Sequence, residues 1–162
     1  MIARALVFLA VFGALQLAWQ QVDGGALYQV VIDQGVVAPA AALANALTPG
    51  WGIHAAGNSL REPSGGLNIV NGCDGMETLF LLLAGFAVAP LSCRSRLCGV
   101  LIGIVVVYGL NLMRILALFY ARHSDMKLFD LLHGVITPAI MVLAIAAFYY
   151  VWLRRSDGPT AH

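Results

Sequence analysis

Three residues of this chain have side chains suited to a shared reaction: Cys73, Arg114 and His133. Cys73 lies in Asn71-Gly72-Cys73-Asp74-Gly75-Met76-Glu77, where a polar segment gives way to a long apolar one. Its thiolate is the nucleophilic form, and it is favoured near a helix N-terminus and near cations. Asp74 and Glu77 work against it, because nearby carboxylates raise a thiol pKa. Arg114 or His133 must supply the compensation. A guanidinium is planar, always charged and rich in donors, and suits a carbonyl oxygen that is gaining negative charge. A histidine beside a cysteine can take the thiol proton and return it to a leaving amine. Asp130, three residues before His133, could orient its ring or cap its helix. The chemistry these types suit is thiol attack on a peptide carbonyl.

Each residue also has a plainer reading. A lone cysteine is most often a small buried hydrophobe, although the polar and small neighbours Asn71, Gly72, Asp74 and Gly75 argue otherwise here. Arg114 could snorkel to headgroups, since a charge inside a span costs about 2.5–3.5 kcal/mol on insertion scales. Asn111, one turn away on the same face, favours an inward polar stripe instead. His133 alone could be a polar end to a span, and His54 and His123 could serve in its place. Ser92-Cys93-Arg94-Ser95-Arg96 reads as a short basic loop, and Cys93 and Cys98, which flank it, read as reduced packing residues. The sequence contains no C-x-x-C pair, which weakens a disulfide-exchange reading.

Composition sets where these residues must work. Of 162 residues, 60% are hydrophobic and only 10% are charged, and the mean hydropathy is +0.85. The chain reads as an all-α polytopic membrane protein and a single membrane-embedded domain over 1–162. A net charge of +1 with no basic stripe argues against a nucleic-acid partner. Membrane lipids are the surroundings, and nothing in the sequence asks for a cofactor or a metal.

About four transmembrane helices are expected, over 3–20, 76–93, 97–121 and 133–153. The first reads as an uncleaved span rather than a signal peptide, because the n-region is thin and no clear cleavage site follows. Between the first two spans, 24–47 reads as a helix on or dipping into the interface, broken by Pro39 and ended by Thr48-Pro49-Gly50. Ile53–Leu60 and Leu67–Val70 read as a small β-hairpin around the turn Arg61–Gly66. Asp74 and Glu77 have the spacing of an N-cap and its capping-box partner. Gly99 and Gly103 form a G-x-x-x-G that permits close helix approach or a dimer. Pro138 predicts a kink in the last span.

Five arginines, Arg4, Arg94, Arg96, Arg154 and Arg155, fall tight against span ends on one side; Arg61, Arg122 and Lys127 fall on the other. That bias puts both termini in the cytoplasm and 21–75 outside. Cys73 and His133 then open two spans on the outer face, and Arg114 lies about 10 Å inside the outer end of a third.

Asn71-Gly72-Cys73-Asp74-Gly75, then Asn111-x-x-Arg114, then His133 resembles the exosortase/archaeosortase family of polytopic protein-sorting transpeptidases, from about Trp51 to Leu153. Many members carry serine where this chain has Asp74, and larger ones have about eight spans. The chain is similar to the short forms, in particular the exosortase H type, whose proposed substrates carry an Ile-Pro-Thr-Leu-x-x-Trp-Gly-like tail. The resemblance implies a bacterial inner-membrane enzyme with its site facing the periplasm. Its partners would be secreted proteins with a C-terminal motif, one span and a basic end. It implies Cys73 as nucleophile through a thioester, Arg114 as oxyanion or substrate-positioning residue, and His133 as acid/base. Asn71, Asp74, Glu77, Asn111 and Asp130 would support them. The rival readings are a non-catalytic membrane subunit that uses Asn111 and Arg114 for assembly, and a thiol oxidoreductase.

Overall fold

The computed structural model describes residues 2–22, 24–69 and 72–156; Val70, the expected end of the second strand, and Asn71 lie outside them. Five helices and one small sheet follow in order. They are α1 (Ile2–Gln20), α2 (Ala26–Leu47), β1 (His54–Ala56), β2 (Ser59–Glu62), β3 (Gly65–Asn68), α3 (Met76–Val88), α4 (Cys93–Ser124) and α5 (Met126–Ser156). Helices α1, α2, α4 and α5 are each long and apolar enough to cross a membrane. The four-span expectation therefore holds in number, with a difference in membership. Helix α2 meets the length and hydropathy of a span. Helix α3 has 13 residues, a rise of about 20 Å against a hydrocarbon core of about 30 Å.

Helix α3 is nevertheless central, packing against α1, α4 and α5. The G-x-x-x-G on α4 explains how. A Cβ on Gly99 would strike Phe86 of α3 and Trp152 of α5, and one on Gly103 would strike Leu82 and Phe148. The small residues are used within the chain, where they let three helices close on each other. They are not left over for a dimer.

Each of the two longest disturbances of helical geometry precedes a proline. Helix α2 widens to a π-helix over Gln29–Val37 before Pro39, and α5 widens over Leu132–Ile136 before Pro138. Proline has no N–H for the carbonyl four residues back, and a wide turn re-routes the backbone bonds. At Pro39 the deprived carbonyl is that of Gly35, and Tyr108 Oη donates to it at 2.8 Å. Pro39 therefore does not break α2, as the sequence suggested. Pro138 likewise stays inside α5, which begins at Met126, so His133 sits within a helix and does not open one.

Other boundaries move for local reasons. Ser92 caps α4, accepting from Ser95 N at 3.3 Å, so the expected basic loop Ser92–Arg96 is that helix's first turn. Arg96 donates to Ala89 O at 3.0 Å, at the end of α3. The expected hairpin is a three-stranded antiparallel sheet in the order β1-β2-β3. The stretch read as one strand turns back at Gly57, whose φ is +57, and pairs Ala55 with Leu60. The second turn needs only Pro63 and Ser64, with Glu62 opposite Gly65. Leu60, Leu67 and Ile69 pack into one apolar cluster with Ile32, Val37, Ala40 and Ala44 of α2 and Ile115 and Leu118 of α4. This cluster carries Cys73 at its margin.

Candidate active site

The site forms where the turn before α3 meets α4 and the π-helical stretch of α5. Gly72 and Gly75 both have positive φ, +90 and +82, and they bracket Cys73 and Asp74 in a tight turn. Gly75, not Asp74, is the N-cap of α3. A Cβ there would also lie 2.7 Å from Asn111 Cγ, so this position requires glycine twice over. Asp74 acts one residue earlier than its predicted capping role. Its Oδ1 accepts from Met76 N at 3.1 Å and its Oδ2 accepts from Trp19 Nε1 at 3.1 Å. Glu77 lies exposed in the first turn of α3 and takes no part in a capping box.

Arg114 and Asn111 hold this turn from α4. Both are buried, at 8% and 2% exposure. Asn111 Nδ2 donates to Asp74 O at 2.9 Å. Arg114 spends its guanidinium in three directions. Nε donates to Thr137 Oγ1 at 3.0 Å, Nη1 donates to Gly72 O at 3.0 Å, and Nη2 lies 3.9 Å from Cys73 Sγ. Thr137 in turn donates to Leu132 O at 2.9 Å, the carbonyl that also takes the Thr137 N–H across the π turn. The distortion ahead of Pro138 is thus tied to the arginine by one hydroxyl. The packing role imagined for Asn111 and Arg114 in a partner interface is taken up inside the chain.

His133 completes the group. Its Nδ1 is 3.3 Å from Cys73 Sγ and its Nε2 is 3.9 Å away. The ring lies flat against Phe129, with centroids 5.4 Å apart and planes 5° from parallel. Phe129 fixes the ring, and the expected orienting residue, Asp130, is exposed and does not touch it. The cap at the start of α5 is Asp125, which accepts from Lys127 N at 2.8 Å.

The electrostatics favour a protonated thiol at rest. Cys73 is 5% exposed, and burial pushes its pKa above the ordinary thiol value; the Arg114 charge pulls it down, while Asp74 and Glu77 push it up. Burial also raises Asp74, against the bonds from Met76 and Trp19. A thiol in this state needs a base within reach, and His133 Nδ1 is within reach.

A cleft of about 350 Å³ opens onto the sulfur, lined by β3, Ile115, Leu118, Phe129 and His133 among others. The other histidines lie elsewhere. His54 is exposed, bonded to Gly52 O at 3.0 Å, and His123 sits 3.2 Å from Glu62 and against the Trp51 ring. Cys93 and Cys98 are exposed on α4 rather than packed inside. About 31 Å and 24 Å of helix rise separate them from Arg114, so neither is a disulfide partner for Cys73 within the chain. Trp19, Thr137 and Phe129 were not anticipated. Trp19 reads only as the apolar end of a span, while Thr137, directly before Pro138, is the one with a signal.

Compared with known families, residues 5–150 match the family model described as transmembrane exosortase. No curated protein and no solved structure matches the chain.

Proposed function

The chain belongs to the transmembrane exosortase family of membrane-embedded protein-sorting transpeptidases, and from that premise we propose that it cleaves the C-terminal sorting tails of secreted proteins through a thioester at Cys73. The observation that carries this reading is the 3.3 Å approach of Cys73 Sγ to His133 Nδ1, with Arg114 Nη2 beside the same sulfur. His133 Nδ1 takes the thiol proton as sulfur attacks the substrate carbonyl. Arg114 Nη2, its one arm without an oxygen partner, receives the oxyanion. The C–N bond breaks as His133 returns the proton to the leaving amine. The amine or hydroxyl of an acceptor, or water, then attacks the thioester, gives its proton to His133, and frees the thiol. The substrates are secreted proteins whose tail carries a motif, a span and a basic end, and the site faces away from the cytoplasm of a bacterial inner membrane.

The test is in-cell processing of a secreted reporter bearing a candidate tail from the same genome, read by size on a blot at matched expression. Wild type shortens the reporter, and Cys73→Ala and His133→Ala leave it full length. Arg114→Lys, which keeps the charge and loses the three-way fork, slows processing by about 10²-fold or more. Processing by Cys73→Ala would remove the nucleophile from this account.

A further inference from the structure

Among the described residues, strand β3 ends the sheet, with β2 on one side only. Ile69 N donates to Asn58 O at 2.8 Å, and Asn58 Nδ2 donates to Ile69 O at 3.2 Å. Backbone groups alternate in an antiparallel ladder. Gly65, Leu67 and Ile69 therefore turn theirs toward β2, and Gly66 and Asn68 turn theirs toward the other edge. An open edge is a template for a further strand, and proteins blunt such edges with proline, charge or a covering element. Gly65-Gly66-Leu67-Asn68 carries no proline or charge, and its two glycines present no side chain to hold a strand away. Residues Gly65 to Ile69 line the same cleft as Cys73 and His133. Ile115 and Leu118 of α4 and Phe129 of α5 give the cleft its apolar wall, and Arg61 and Arg122 also line it.

We propose that the substrate segment beside the scissile bond adds to β3 as a fourth strand, bonded through its backbone to Gly66 and Asn68, and is thereby led to the Cys73 sulfur. This rests on the reading of Cys73 as the acyl acceptor. Main-chain bonding supplies the affinity and leaves alternate side chains to the apolar wall. A thiol that must meet one carbonyl gains most from a register fixed by backbone, because a slip of one residue turns every side chain over.

The experiment uses the full-length protein in lipid nanodiscs and a synthetic peptide spanning the cleavage site of a reporter tail that it shortens in cells. Single backbone N-methyl groups are walked through the peptide. Cleavage is expected to fall about tenfold or more at every second position and to stay within about twofold between them. A flat profile, or one without period two, overturns the proposal. On the protein side, Asn68→Pro removes a donor from the open edge, where edge strands tolerate proline. It should raise KM about tenfold while Cys73 alkylation by iodoacetamide stays as in wild type. The reference for that KM is Asn68→Ala, which loses the same contact to Ser59 Oγ but keeps the N–H, so that the tenfold difference between the two variants reports the backbone donor alone. Asn68→Pro cleaving with unchanged KM overturns strand addition and leaves Cys73 chemistry standing. Cleavage of the unmodified peptide by Cys73→Ala instead overturns the thioester reading beneath it.

Discussion

At the scale of single residues, the site balances opposing charges around one sulfur. Asp74 lies next to Cys73 in the chain and Arg114 lies across from it, and they act on its pKa with opposite sign. Replacing Asp74 by Asn removes a charge that raises the thiol pKa, so iodoacetamide should label Cys73 faster at a fixed, mildly alkaline pH, with the rate profile shifted to lower pH. Arg114→Gln should shift it the other way. Adduct formation followed by mass spectrometry across a pH series reads both. Cys73 and Arg114 stand out in the sequence, because a thiol in polar company and an arginine inside a span are both costly without a purpose; their meeting with His133 is visible only in the fold. The contacts of Asp74 were not legible. Its bond to Trp19 joins residues 55 apart, and apolar periodicity says nothing about which indole meets which carboxylate.

At the scale of elements, two devices position the site, and both begin in backbone chemistry. The first is the π turn before Pro138, which presents His133 and hands the Leu132 carbonyl to Thr137. Thr137→Val keeps the shape and leaves Arg114 Nε without an acceptor, a buried donor worth about 1–3 kcal/mol. Thermal stability and tail processing should both fall, and Thr137→Ser should restore them. The second is the pair of glycines on α4. Gly103→Val would drive a side chain into Leu82 and Phe148 and should lower the melting temperature by several degrees in detergent, whereas Gly109→Ala meets nothing within 4 Å and should melt like wild type. Helix existence was readable from hydropathy, and the turn at Pro63 and Ser64 from its residue types, whereas the turn at Gly57 lay hidden in a stretch that reads as one strand. The helix boundaries were not readable. Pro39 reads as a helix breaker and the basic run at Ser92–Arg96 reads as a loop. In fact Tyr108 replaces the bond that Pro39 removes, and Ser92 caps the run into α4.

At the scale of the whole molecule, α4 sets the frame. Its 32 residues rise about 48 Å, well beyond a hydrocarbon core of about 30 Å. Cys93 and Cys98 mark one end and the Cys73 site lies toward the other. A membrane-impermeant maleimide added to intact cells should therefore label Cys73, once detergent has shown that its buried thiol can react, and should spare Cys93 and Cys98. Labelling of all three from one side would overturn the orientation read from the arginines.

The distance from Cys93 to Arg114, about 31 Å, is close to the thickness of the apolar layer, and this makes the protein a ruler. On the proposed reading, a substrate anchored by its own span would enter with its reactive carbonyl at a height fixed by the residues between motif and span. Only a spacer of matching length brings that carbonyl level with the sulfur. Inserting three or four residues into that spacer, about 10 Å or more if extended, should abolish cutting while the motif itself stays intact. Deleting the same number elsewhere in the tail's span should be tolerated, because tilt and local thinning absorb it. On this view the enzyme meters where a chain leaves the bilayer as strictly as it reads what the chain says.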